Sequence, residues 1–362
     1  MPPTVVIVGG GYGGVAAARA LDDEADVILV EPRDAFVHNV AALRGLVDPA
    51  WTDRIFMPYG RLLDRGRVIT DRVVAADVTG VTLGSGEKVA ADYLVLATGS
   101  AYPFPGKTGE DESAVARSRL RAGREALAEA AAVLLLGAGP VGLELAGEIK
   151  SAWPAKAVTI VDPVADVLSG DYPPEFRAEL RRQLAELGIE LVLGAFLREE
   201  PPYEAGRAKT FTVTTRAGRP ITADIWFRCH GVRPATGYLS GGRGELGPAR
   251  RASGYLAVTP ELRLPGHRHV FAIGDIASLP EGKLASAAGR QARVVAENIR
   301  ALIAGSELTR YQPGPGAVSV PLGPAGGASY LPGTGVLGAA ETARIKGEDL
   351  RVGAYAELFR LG

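Results

Sequence analysis

An α/β fold of two tandem βαβ units with a small C-terminal cap is what this sequence predicts, on three observations. Glycines spaced G-x-G-x-x-G stand at Gly9, Gly11 and Gly14 and again at Gly137, Gly139 and Gly142. Each set directly follows an apolar run, Val5-Val6-Ile7-Val8 or Val133-Leu134-Leu135-Leu136. Each is then followed by a helical pattern and an acid at the end of the next apolar run, Glu31 in the first case and Asp162 in the second. After Tyr311 the composition turns abruptly to Pro and Gly, then ends in a mixed apolar and basic tail. One Gly-rich turn is a weak signal, but two in full strand–turn–helix context are a strong one.

The elements follow in order. Residues 4–8 form an uninterrupted apolar run of the buried-strand kind, 13–21 a helix opened by the glycines, and 27–30 the second strand. Residues 92–100 read as a strand stopping in the small-residue turn Ala97-Thr98-Gly99, after which Pro103 and Pro105 break the chain. Residues 117–131 are Ala-rich and helical. The second unit runs through strand 133–136, helix 141–151 and strand 157–161, which ends at Asp162. An amphipathic helix over 174–187 and a strand over 189–193 follow, then a β-meander of 211–215 and 221–227. Residues 270–273 are a strand closed by the Gly274-Asp275 turn, ahead of a long helix over 285–303. The layout is one domain, residues 1–103 and 254–305, interrupted by a second at 104–253, with a cap at 306–362.

Composition narrows the function. At 47% hydrophobic and 22% charged, the 362 residues are ordinary for a globular chain with a real core. A net charge of −1 offers no basic footprint for nucleic acid. The single cysteine, Cys229, excludes a disulfide framework and a thiolate zinc cluster, and it removes the redox cysteine pair of disulfide reductases. His38 and His230 stand alone and His267 and His269 alternate in a polar stretch, so all four read as surface or loop histidines, with no metal site. With Pro2 and Pro3 leading straight into the first strand, no signal peptide or myristoylation site is expected, and no 18-residue apolar run is present. The expectation is a cytoplasmic protein, at most peripheral to a membrane, with monomer and homodimer both open.

In a Rossmann unit the first glycine permits the tight turn, the second lets backbone approach a pyrophosphate, and the third lets helix and strand pack closely. The phosphates then lie at a helix N-terminus, where free N–H groups and the dipole favour negative charge. Two such cradles, each with an acid for a ribose 2′-hydroxyl, point to two dinucleotides held face to face. Asp162 repels a 2′-phosphate, and no Lys or Arg lies between Pro163 and Phe176 to offset it, so NADH is favoured over NADPH. Glu144, on the first turn of the second helix, is placed to face a nicotinamide, although the helix dipole alone also favours an acid there. Asp275 suits a flavin ribityl hydroxyl as well as it suits a turn. The tail over 349–361 is readable as a membrane-touching helix or as one packed on its own domain.

The two fingerprints, the Leu96-Ala97-Thr98-Gly99 turn and the Ile273-Gly274-Asp275 turn together resemble the two-dinucleotide-binding flavoproteins of glutathione-reductase-like fold. The likeness narrows at His38-Asn39-Val40-Ala41-Ala42-Leu43-Arg44, at Pro103-Phe104-Pro105-Gly106-Lys107, at the stretch from Gly142 to Lys150 and at Tyr311-Gln312-Pro313-Gly314-Pro315. These resemble the ferroptosis-suppressor branch of apoptosis-inducing-factor-like oxidoreductases, relatives of type II NADH dehydrogenases. The resemblance implies FAD in the first domain, NAD(P)H in the second and a quinone-like small-molecule acceptor. It implies FAD contacts from Gly9, Gly10, Gly11, Tyr12, Gly13, Arg44, Val73 and Asp275, an acid beside both rings at Glu144, and a basic residue near the flavin at Lys346. Lys346 would then stabilise negative charge on the reduced ring. Competing activities are a ferredoxin- or rubredoxin-type reductase and a flavin-dependent signalling protein with vestigial turnover. The chain departs from the family at its start, which lacks a glycine for lipid attachment, and at Ile276, where cysteine is frequent. It also ends early, which bears on quinone access.

Overall fold

The computed structural model of this chain describes residues 2–239, 245–314 and 316–361. Pro315, the last residue of the Tyr311 stretch quoted above, lies outside them. From the N-terminus the elements that position the site are β1 (Thr4–Val8), α1 (Tyr12–Leu21), β2 (Asp26–Val30), α2 (Ala42–Val47), β3 (Arg67–Ile69) and β4 (Tyr93–Leu96). They continue with β5 (Ala132–Leu136), α3 (Pro140–Ala152), β6 (Ala157–Asp162), β7 (Ile189–Leu193), β8 (Ile225–Arg228), β9 (Val270–Ala272) and α4 (Ala285–Ala304). The C-terminal part holds β10 (Val318–Leu322), β11 (Gly326–Leu331), β12 (Gly335–Leu337) and α5 (Val352–Leu358).

Two parallel sheets result, one of order β9-β4-β1-β2-β3 and one of order β7-β6-β5-β8. Their inner strands are apolar on both faces because helices and hairpins cover both, as parallel sheets require. The first sheet draws β9 from near residue 270, so a strand far along the sequence completes what the N-terminal strands begin. Helix α1 packs along α4 through small residues, among them Ala17, Ala18, Ala292 and Ala296, all fully buried. Strands β10, β11 and β12 form an antiparallel sheet of their own. Gly147 on α3 sits against the Leu322 backbone, where any side chain would collide, and so sets how closely this sheet approaches α3.

Two sequence expectations are corrected. The meander is a hairpin, Phe211–Thr214 with Pro220–Ala223, while residues 225–228 leave it and become β8 of the second parallel sheet. Asp224 makes the break: its carboxylate accepts from the Ala131 and Ala132 N–H groups, tying the chain to the edge of β5. The strand expected over 92–100 ends at Leu96, where the small-residue turn takes over.

The tail folds back on its own domain. Phe359 is fully buried and lies 5.0 Å from Phe36 between ring centroids, while Tyr355 contacts Tyr12, Phe36 and His38. His38 is therefore no surface residue. It is fully buried, its Nε2 is 2.7 Å from the Leu350 carbonyl, and burial pushes its pKa down to about 4. No described helix is long and apolar enough to cross a membrane.

Candidate active site

The two glycine turns are built alike. Gly9 and Gly137 both have left-handed backbone, φ +102° and +118°, which only glycine adopts without strain. A methyl group on Gly14 would overlap the Gly9 carbonyl oxygen, and one on Gly142 the Gly137 carbonyl oxygen, so each third glycine lets helix and turn close up. At Gly11 and Gly139 a side chain would meet nothing within 4 Å, which leaves the space a pyrophosphate would fill. In both units the turn also presses on the end of the neighbouring strand: Gly9 on Ala97 and Gly137 on Cys229. The lone cysteine is thus a buried spacer, its thiol pushed up to about 12 by desolvation.

The two acids occupy matching register. Val8 pairs with Val30 and Glu31 follows; Leu136 pairs with Val161 and Asp162 follows. Glu31 is almost wholly buried, accepts from the Gly10 N–H at 2.5 Å, and pairs with Arg33 at 2.7 Å. Asp162 accepts from the Ala138 and Val164 N–H groups at 2.6 and 2.7 Å, and makes no ion pair with a described residue.

A long cavity runs from the first cradle toward the second as two chambers of about 430 and 400 Å³, which share lining residues such as Arg33, Ser100 and Lys107. Gly9, Glu31, Val73 and Thr98 line the first chamber, and Thr98 faces the second as well. Gly10, Gly11, Tyr12, Gly13, Ala97, Gly99, Gly274 and Asp275 line the second, together with Pro140, Val141 and Glu144 from the start of α3. Arg33, Lys107 and Lys283 also line the second chamber. Lys107 donates to the Ser100 carbonyl at 2.5 Å and lies 3.8 Å from Asp275, while burial pulls its pKa down against the attraction of that carboxylate. Open glycine backbone beside three cations fits an extended diphosphate ligand.

At the far end Lys346 Nζ donates to Glu144 Oε1 at 2.8 Å and to the Ser319 carbonyl at 3.3 Å. Burial raises the Glu144 pKa, and the ammonium opposes the rise. Residues 202 positions apart thus meet on the cavity wall. Arg44 does not join them. It is buried, grips Glu148 through Nε and Nη2, and lines a separate cleft beside Trp51. Sequence reading also missed Arg33, Lys107 and Lys283. Lys107 stands in a stretch that carried the family resemblance, yet nothing in its residue type marks it as cavity-lining. Among the described residues, no cluster of three or more His, Cys, Asp or Glu suits a metal.

Comparison with known proteins agrees with this architecture. The family model of the pyridine nucleotide-disulphide oxidoreductases matches residues 3–292. Ferroptosis suppressor protein 1 of Taeniopygia guttata is 32% identical over 319 residues, 86% of this chain and 83% of that protein. Apoptosis-inducing factor homolog B of Dictyostelium discoideum is 29% identical over 97% of this chain and 95% of its own. The sulfide:quinone oxidoreductase of Aquifex aeolicus superposes with a TM-score of 0.75 at 18% identity, covering 99% of this chain and 92% of that one, a likeness of fold.

Proposed function

This chain belongs to the pyridine nucleotide-disulphide oxidoreductases, flavin enzymes that draw on NAD(P)H, and from that footing we propose that it oxidises NADH and reduces a quinone-like acceptor through FAD. The observation that carries the reading is a single cavity lined both by Gly10 to Gly13 of the first cradle and by Pro140, Val141 and Glu144 of the second unit's helix. A ring system reaching out of the first cradle and one reaching out of the second would meet there. We assign residues 1–103 and 254–305 to FAD, 104–253 to NADH and 306–362 to the cap.

FAD, when bound, supplies a ring that takes up a hydride and passes two electrons on. The chain's own part is to hold and to charge-balance. The Gly9–Gly14 turn and the N-terminus of α1 would receive the diphosphate, with Lys107 and Lys283 offsetting its charge. Glu31 and Asp162 would accept from ribose hydroxyls, and Asp275, already hydrogen-bonded to Ser100 at 2.5 Å, would accept from the ribityl chain. Glu144 and Lys346 meet on the cavity wall, where the ammonium would stabilise negative charge that arrives with a hydride. In the net reaction one nicotinamide C–H bond breaks and two O–H bonds form on the acceptor. The hydride accounts for both electrons and one proton equivalent, and solvent supplies the second proton.

NADH is favoured because Asp162 accepts from backbone N–H groups and makes no ion pair with a described residue, so its carboxylate would repel a 2′-phosphate. The test is anaerobic titration of the purified yellow protein. NADH should bleach the flavin, NADPH should not, and a soluble quinone should restore the colour. A colourless protein that FAD does not reconstitute ends the proposal. Reoxidation by an iron–sulfur protein but not by quinones would transfer it to the reductase alternative.

A further inference from the structure

Arg44 is held 3% exposed, and its guanidinium has two grips that point in different directions along the chain. Nε and Nη2 fork onto Glu148, at 3.1 and 2.7 Å to Oε1. Nη1 donates to the Glu348 carbonyl at 3.1 Å. Glu148 lies one helical turn beyond Glu144 on α3, and Glu348 lies two residues beyond Lys346, just after the π-helical turn Ala343–Gly347. One side chain of α2 thus takes hold of both segments that supply the Glu144–Lys346 pair, within a turn of each partner. Both segments also pack closely against the cap sheet, so there is little slack to absorb a small shift at Arg44. A side chain at Gly147 would strike the Leu322 backbone, and one at Gly347 would come within 2.8 Å of the Pro324 carbonyl oxygen. Arg is suited to this where Lys is not, since its planar fork makes two directed grips and a lysine makes one point contact.

We propose that Arg44 is the positioning residue of the flavin site: by holding Glu148 and the Glu348 carbonyl together it keeps the Lys346 ammonium against Glu144 at the cavity wall. The inference rests on the site reading given above. It requires no contact between Arg44 and the flavin, and it places the residue in the hinge between α2, α3 and the cap.

Arg44→Lys keeps the charge and gives up the double grip, so any electrostatic change reports a displaced Lys346. The FAD dissociation constant of the apoprotein should stay within about twofold of the parent. The potential of the bound flavin should fall, in the same direction as in Lys346→Met, and bleaching by NADH should slow about tenfold, since less positive charge meets the negative charge that arrives with the hydride. If Arg44→Lys does not fold, Arg44→Gln/Glu148→Gln removes both charges together, keeps the net charge, and should move potential and bleaching rate the same way. Parental potential and bleaching rate in the folded variant, beside a shift in Lys346→Met, would overturn the positioning role alone. Weakened FAD binding at unshifted potential would overturn it in favour of a direct contact. No shift in Lys346→Met itself would overturn the site reading and this role with it.

Discussion

The first and second glycine cradles share backbone geometry down to the overlap that forbids a side chain at Gly14 and Gly142, yet their charge surroundings differ. Glu31 is sealed in and neutralised by Arg33, on a cavity that also carries Lys107 and Lys283. Asp162 is half-buried and accepts from backbone N–H groups, with no ion pair to a described residue. The comparison teaches that the glycine frame sets where a dinucleotide lies, while the side chains around it set how firmly and which one. A walled, cation-lined cradle suits a cofactor that stays through many turnovers. A half-buried acid with no ion pair to a described residue suits a substrate that must leave after each hydride.

The sharpest way to break this comparison is to damage each frame in turn. Gly14→Val and Gly142→Val both force a side chain onto a carbonyl oxygen, which costs about 3 kcal/mol or more, roughly a hundredfold in affinity. Gly14→Val should give a protein that purifies without flavin. Gly142→Val should purify yellow and bleach with dithionite, but not with NADH at concentrations that bleach the parent. Absorbance at the flavin band, before and after each reductant, checks both. If the two variants lose the same function, the division of labour between the cradles is wrong.

Acid should separate the cradles too, because a buried histidine serves only the first. His38 Nδ1 lies 3.3 Å from the Tyr12 hydroxyl, and its ring lies tilted against Tyr355, 4.8 Å between centroids, so it links the first fingerprint to the tail. Its pKa is pushed down to about 4 in the fold, against an ordinary value near 6.5, so the native state holds fewer protons than the unfolded chain between those limits. The resulting stability, roughly 3 kcal/mol, is complete above pH 6.5 and is lost as pH falls toward 4. Released flavin fluorescence should rise across that window, and His38→Gln should remove most of the slope. A parental slope in that variant would clear His38 of the effect.

Much of this arrangement was legible beforehand, for identifiable reasons. The fingerprints announce themselves because backbone sterics demand glycine at fixed spacing, and the acids because parallel register puts the residue after the second strand beside the turn. The Glu144–Lys346 pair was legible only through resemblance, since no local rule joins residues 202 positions apart. Arg33, Lys107 and Lys283 were not legible at all. Their charge acquires meaning from folding onto one cavity, and each residue alone reads as solvated surface. The sequence pattern joins the hairpin at residues 211–223 to β8, because Asp224 between them is a turn signal outweighed by strand-like neighbours on both sides. His38 was misplaced because its partners, Leu350 and Tyr355, come from the far end of the chain.

The finest edge of the comparison is Asp162 itself. Replacing it with Ala leaves the glycine frame intact and removes an acceptor for the ribose hydroxyl, so the flavin content should stay parental. Losing a charge-assisted hydrogen bond costs about 1.5 kcal/mol, near the tenfold mark, and KM for NADH should rise by about that factor. For NADPH the same change removes a repulsion of several kcal/mol between carboxylate and phosphate without adding an attractive partner. KM for NADPH should therefore fall while that for NADH rises, narrowing the preference from both sides. Steady-state KM for the two nucleotides with one quinone acceptor measures it. If both KM values rise together, Asp162 shapes the cradle through its hydrogen bonds to Ala138 and Val164, and the basis of nucleotide choice must lie on another element.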